Sequence, residues 1–157
     1  HSLFGLAIGK KYSPDTWIPL VNRCAQFDLD KLGKASIRQI LVAVQALKLE
    51  ASDVYEKVSH ECPVISSIEE KQQLDFKRTE TPSKYQKRIA QLLPQNSFEE
   101  EKAIFLYLVD FYFPISNTVF EVYGPFHYLD HSGQMKTGNT ILKERILTEM
   151  GYTVKTL

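Results

Sequence analysis

Asp110 and Glu121 each stand inside a short apolar run. The runs are Tyr107-Leu-Val-Asp-Phe-Tyr-Phe113 and Thr118-Val-Phe-Glu-Val-Tyr123, joined by Pro114-Ile-Ser-Asn117. A solvated carboxylate is cheap, but one inside a buried strand is costly unless it is paired, hydrogen-bonded or bound to a metal. Two on adjacent strands suggest a nuclease-type site, in which hard oxygen ligands hold Mg²⁺, or the scaffold left by one. Backbone N–H groups could hold both instead. The second run breaks at Gly124-Pro125, and Phe126, His127 and Tyr128 follow. His127 and His131 flank Asp130, so a metal set in that corner is a further reading. No Ser/His/Asp constellation and no phosphate-cradling glycine loop is present; Gly133 and Gly138 are isolated.

The cations with useful spacing fall in two groups. Lys84, Lys87 and Arg88 lie at helical intervals that share a face, and Lys143 and Arg145 lie on a later helix with Lys136 just before it. Such residues can grip phosphates, positioning a nucleic acid without reading its sequence. A solvated helix face is the plainer reading of each. Tyr107, Phe111, Phe113, Phe126 and Tyr128 could stack on unpaired bases. Strand alternation assigns about half of them to the core and leaves Phe126 and Tyr128 as the exposed pair.

These residues need elements to position them. Asp15 or Thr16 can cap a first helix with Trp17, Leu20, Val21, Cys24 and Phe27 on one apolar stripe and Pro19 in its first turn. After a turn through Asp28–Gly33, the stripe Ile37, Ile40, Leu41, Val44 and Leu47 gives the cleanest helical period in the chain. Ser52 opens a third, shorter helix with Tyr55 and Val58. Residues 1–12 show no period and read as an arm. Residues 63–81 read as a polar linker, with Ser66-Ser67, Glu69-Glu70-Lys71 and Lys77-Arg78. Ser83 and Gln86 form a capping box for a helix bearing Tyr85, Ile89, Leu92 and Leu93. Glu99-Glu100-Glu101 reads as a loop or helix start. Two strands follow, then a helix over about 139–150 burying Leu142, Ile146 and Met150, with Gly151 at its C-cap, and a last strand over 153–157. The order α-β-β-α-β after helices makes an α/β module with a small mixed sheet.

Composition sets the outer limits. The chain has 157 residues, 43% hydrophobic and 24% charged, with 19 basic and 19 acidic side chains and a net charge of zero. That is an ordinary globular composition, too neutral for strong non-specific binding to nucleic acid. No apolar run reaches the roughly 18 residues of a membrane span. Cys24 and Cys62 have no metal-type spacing and read as small buried hydrophobes in a reducing compartment. Because the chain opens on His1, it reads as a processed or partial sequence from which a targeting peptide could have been lost.

The central stretch resembles the RAP domain, a module of organellar RNA-binding proteins that include FAST-kinase-like and octotricopeptide-repeat proteins, similar in fold to the PD-(D/E)XK endonucleases. Val109-Asp110 is similar to the family's first strand. Glu121-Val-Tyr-Gly-Pro-Phe-His-Tyr128 is similar to its Glu-x-Asp-Gly-Pro-x-His-Phe segment. Gly138-Asn-Thr-Ile-Leu-Lys-Glu-Arg-Ile-Leu147 matches its helix, Gly151-Tyr-Thr-Val154 its closing strand, and Ser83-Lys-Tyr-Gln86 its opening helix. One position departs: Tyr123 stands where the family has Asp and the parent nucleases have Lys, and a neutral phenol neither completes a metal site nor activates water well. The resemblance implies that His127 bonds the Glu121 strand or a phosphate, that a short helix follows residue 157, and that the early helices are α-hairpin repeats continuing upstream. A small bundle is the plainer reading of those helices.

The expected protein is therefore α/β. Helical repeats over 1–62 and a linker over 63–81 precede a small restriction-endonuclease-like RAP domain with a mixed sheet over 82–157. It binds RNA without catalysis or cofactor, at Lys84, Lys87, Arg88, Phe126, His127, Tyr128, Lys136, Lys143 and Arg145, with Asp110 and Glu121 vestigial. The resemblance implies the mitochondrial matrix. Size and neutrality favour an rRNA-bound component of the mitochondrial ribosome among ribosomal or other RNA-associated proteins, with no membrane. The alternatives are a dissociable RNA processing or stability factor, a metal-dependent endonuclease, and a protein–protein adaptor.

Overall fold

The computed structural model describes residues 2–73, 82–130 and 134–157. They fall into an N-terminal helical unit and a C-terminal α/β unit. His131 and the linker residues 74–81, Lys77 and Arg78 among them, lie outside the described residues.

Five helices build the N-terminal unit: α1 (Ser2–Ile8), α2 (Pro14–Cys24), α3 (Lys34–Glu50), α4 (Ser52–Glu61) and α5 (Val64–Glu70). Helix α3 is central, and α1, α4 and α5 all pack on it. It buries Ile37, Leu41, Val44 and Leu47 of the expected stripe, together with Val42, Ala43 and Ala46. Helix α2 starts one residue before Asp15, with Ser13 at its N-cap and Pro14 at the first helical position, where a missing N–H costs nothing. It buries Trp17 and Val21, and the Trp17 indole N–H donates to Lys11 O at 2.8 Å.

Three readings are corrected in this unit. The expected arm is helix α1, anchored by buried Leu3 and Ala7; two apolar residues four apart make a stripe too short to stand out as a period. The first part of the expected linker is helix α5, whose Ile65 and Ile68 are buried. Its charged side chains hid that pair, and one of them, Glu69, accepts from Lys48 Nζ at 3.1 Å and Tyr55 Oη at 2.8 Å. Phe27 lies beyond the end of α2 and is exposed.

The C-terminal unit comprises α6 (Lys84–Leu92), β1 (Glu99–Ile104), β2 (Tyr107–Phe113), β3 (Thr118–Glu121), α7 (Gly138–Glu149) and β4 (Thr153–Thr156). The sheet order is β1-β2-β3-β4, with the first two pairings antiparallel and β3–β4 parallel. The sheet is mixed, as expected, but has four strands. Glu99-Glu100-Glu101 belongs to edge strand β1, whose outer residues are mostly exposed. Charge on an edge strand keeps other chains from adding to it, and pairing with β2 overrides the poor strand propensity of glutamate. The apolar run around residue 105 is the hairpin between β1 and β2, Ile104 standing opposite Tyr107.

The Pro-Ile-Ser-Asn segment turns as expected, with Asn117 at φ 47°, a left-handed conformation asparagine tolerates. The Asn117 amide then donates to Gly151 O at 2.7 Å, tying the β2–β3 turn to the end of α7. Gly151 has φ 91° and closes that helix in the way glycine permits. Leu142, Ile146 and Leu147 of α7 are buried. Leu147 shares a cluster with Ile104, Val109 and Val119, against which Tyr112, Met150, Tyr152 and Val154 pack.

Candidate functional site

Strand β2 carries Asp110 beside Phe111, which stands opposite Phe120 in the register of β2 with β3. One step further along that register Asp110 comes opposite Glu121, so the two carboxylates do share a strand pair. Asp110 is half-buried. Glu121 is buried, and its Oε1 lies 2.7 Å from Lys143 Nζ, itself largely buried. Lys143 reaches inward from α7 and also donates to Leu108 O at 3.0 Å, with Tyr107's ring 5.8 Å away. Asp110 uses both oxygens: Oδ2 accepts from Val122 N–H at 2.7 Å, and Oδ1 accepts from the Gln86 side-chain amide. The pair is thus held by a buried cation, a backbone amide and a side-chain amide.

Lys143 was expected to face phosphate. It points into the sheet instead, because a buried carboxylate at the strand end demands a counter-charge. Lys136 is ion-paired as well. Its Nζ lies 2.6 Å from Glu144 Oε1 and 5.3 Å from the centre of the Tyr123 ring. Arg145 is half-buried and engaged within the fold.

Tyr123 is the hub of this second group. Its hydroxyl donates to Glu144 Oε1 at 3.0 Å, and its ring stacks on His127 with centroids 4.4 Å apart. Burial, reinforced by the carboxylates of Glu144 and Glu121, pushes the Tyr123 phenol far above its ordinary range. It stays a neutral donor at any physiological pH and can neither take a proton nor stand in for the lysine of a nuclease. His127 was expected to bond the Glu121 strand or a phosphate; its Nδ1 lies 3.3 Å from Thr140 Oγ1, the threonine at the start of α7. Among the described residues, no three His, Cys, Asp or Glu side chains converge as a metal-binding group.

Helix α6 behaves differently. Ser83 and Gln86 form the expected capping box: Gln86 N–H donates to Ser83 Oγ at 3.1 Å, and Ser83 N–H donates to Gln86 Oε1 at 2.6 Å. None of its residues is buried, so the expected apolar stripe of Tyr85, Ile89, Leu92 and Leu93 does not form a core. Tyr85 and Leu92 are exposed, as are Lys84, Lys87 and Arg88, which have no acidic partner among the described residues. Three outward cations beside an outward tyrosine make a surface that can take phosphates and one base.

Of the aromatic candidates, Tyr107 and Phe111 are core, Phe113 and Tyr128 are half-buried, and Phe126 is 95% exposed. Sequence reasoning missed Glu144, Thr140, Phe98, Phe120 and Lys155. Glu144 lies one helical turn after Thr140, a spacing that could have suggested a polar face on α7. Phe98 immediately precedes Glu99-Glu100-Glu101, which read as a loop or helix start. Burial pushes the thiols of both Cys24 and Cys62 up.

The geometry defines a small α/β module whose paired strand carboxylates are closed from within and whose leading helix is basic outside. Residues 120–157, from the end of β3 through α7 and β4, match the family model of the RAP domain. The match takes in Glu121, Tyr123, His127 and Lys143 and leaves Asp110 and α6 upstream of it. A RAP domain indicates association with RNA. No curated protein matches the chain. No helix among the described residues is long and apolar enough to cross a membrane.

Proposed function

We propose that the chain is a non-catalytic RNA-binding protein of the mitochondrial matrix, held in a ribonucleoprotein, with the mitochondrial ribosome as its assembly and rRNA as its ligand. The observation that carries the non-catalytic reading is the 2.7 Å contact between Lys143 and Glu121. A carboxylate needed for Mg²⁺ would have to give up that buried cation, and Asp110 would have to release Val122 and Gln86. RNA contact is assigned to Lys84, Lys87 and Arg88 on α6, with Tyr85 beside them. The organelle and the ribosome rest on the family resemblance, the zero net charge and the apolar side chains left outside. A protein that must not scatter over all RNA but must touch neighbouring proteins has that kind of surface.

The test has two parts. Purified protein with single-stranded RNA and Mg²⁺ or Mn²⁺ should retain the RNA uncleaved, and Lys84→Glu with Lys87→Glu and Arg88→Glu should abolish retention. Cleavage that Glu121→Ala removes would sink the non-catalytic reading. Native protein from a mitochondrial lysate should then sediment with a ribosomal subunit, surviving raised salt but not RNase. A light peak shifted only by added transcript would instead make it a dissociable processing or stability factor.

A further inference from the structure

One face of the sheet carries a strip of half-buried phenylalanines. Register places Phe120 beside Phe111 on β2 and beside Lys155 on β4, and Phe113 lies two residues along from Phe111 on the same face. Val119 and Val154, which alternate with them, belong to the α7 side and its core. Phe111 is buried, 1% exposed, and forms the floor. Phe98 stands over it with ring centroids 5.5 Å apart, and Phe98 and Phe113 are 5.7 Å apart. Phe113 meets Phe120 edge to face at 5.1 Å, and Lys155 Nζ lies 5.7 Å from the Phe120 ring centre. Phe98, Phe113 and Phe120 are each half-buried, while Lys155 is exposed and has no acidic partner among the described residues.

We infer that this strip is a stacking platform for unpaired RNA bases, with the phosphate backbone running along the β4 edge. The inference rests on the RNA-binding reading and adds a second contact surface to it. Three phenylalanines offer π-faces and no polar handle, which suits stacking without base selection. Charge fixes the direction of the strand. Glu100, opposite Phe111 in the register, puts an acid on the β1 side, whereas Lys155 puts a cation on the β4 side. Among the described residues β4 pairs with β3 alone, so its other edge presents backbone N–H groups from which a phosphate can accept. Phe120 and Lys155 both lie within the RAP match, and Phe98 and Phe113 extend the platform upstream of it. Duplex RNA, whose bases already stack on one another, cannot use the platform.

The experiment is fluorescence anisotropy of the full chain with a labelled single-stranded 12-nucleotide oligouridylate and with a duplex of similar length. Phe120→Leu and Phe113→Leu should each weaken the single-stranded complex on the order of tenfold and leave duplex binding unchanged. Lys155→Glu, at an exposed position, should weaken it and shallow the salt dependence by about 0.7, as loss of one phosphate contact requires. Circular dichroism melts of each variant separate lost stacking from lost fold; were the phenylalanine variants to unfold, Lys155→Glu would decide. Binding abolished by the α6 charge reversal but untouched by Phe120→Leu and Lys155→Glu would overturn the platform and leave the RNA-binding reading standing. No binding of either RNA by the unmodified chain would overturn both. Phe120→Leu disrupting a complex with protein while RNA binding stays intact would assign the strip to a protein partner and overturn the inference.

Discussion

Lys143 and Glu121 form a buried pair at the junction of α7 and β3, 14% and 2% exposed at their side chains. Removing one charge strands the other in a low-dielectric interior, which costs more than the pair is worth intact. Lys143→Met should therefore destabilise the C-terminal unit by about 3–5 kcal/mol in urea unfolding. Adding Glu121→Gln should recover a large part of that loss. If the double variant is no more stable than the single one, Lys143 contributes through packing and not through charge. Tyr123 sets a second residue-scale expectation. Its phenol is raised in the folded protein above the ordinary value of 10, so the folded state holds its proton where the unfolded chain has lost it. That contribution is whole below pH 10 and declines above it as the unfolded chain ionises. The stability difference between the unmodified protein and Tyr123→Phe should be flat from pH 6 to 9 and change only above about pH 10. A difference that moves near neutrality would point to His127 or Glu144 instead.

At the scale of elements, α6 is the least conventional piece. A helix that buries none of its residues draws little from the hydrophobic effect, the usual source of helix stability in proteins. It is held by its capping box and by the Gln86 amide on Asp110. One glutamine thus caps the helix and docks it on β2. Gln86→Ala should remove both contacts, costing on the order of 1–2 kcal/mol locally. Hydrogen exchange should then speed up across residues 84–92 while β2 and β3 stay protected. Uniform acceleration through the sheet would show that α6 belongs to the same cooperative unit as the core. The capping box was legible because it is a local pattern. The docking was not, since nothing in the spacing of Gln86 and Asp110 says that they meet. Strand β1 was illegible for the converse reason: its glutamates satisfy solvent, and its pairing is decided by β2.

For the whole molecule, the division into two units has a direct consequence. The sheet and α7 share their own cluster around Val109, Val119 and Leu147, while α1–α5 are built around α3. A fragment of residues 82–157 should fold without the helical unit and unfold cooperatively in a circular dichroism melt. A molten, non-cooperative trace would mean that the helices are needed to complete the α/β unit. Membership of one unit or the other also separates the chemistry. Both cysteines belong to the first, and all the candidate RNA contacts belong to the second.

The sequence by itself determined the helical periods of α2, α3 and α4, the capping box of α6, the glycine that follows α7, the turn at Asn117, and the run after Phe120 that matches the RAP domain. These are local patterns of burial, capping and backbone freedom, and each is written within one or two turns of chain. Only the tertiary structure decided what the side chains do. It turned Lys143 inward as a counter-ion, paired Lys136 with Glu144, gave Asp110 to Val122 and Gln86, stacked His127 on Tyr123, and gathered Phe98, Phe113, Phe120 and Lys155 on one face. Those outcomes depend on which strands become neighbours and in what register. A cation looks the same in the sequence whether a buried carboxylate or solvent waits for it.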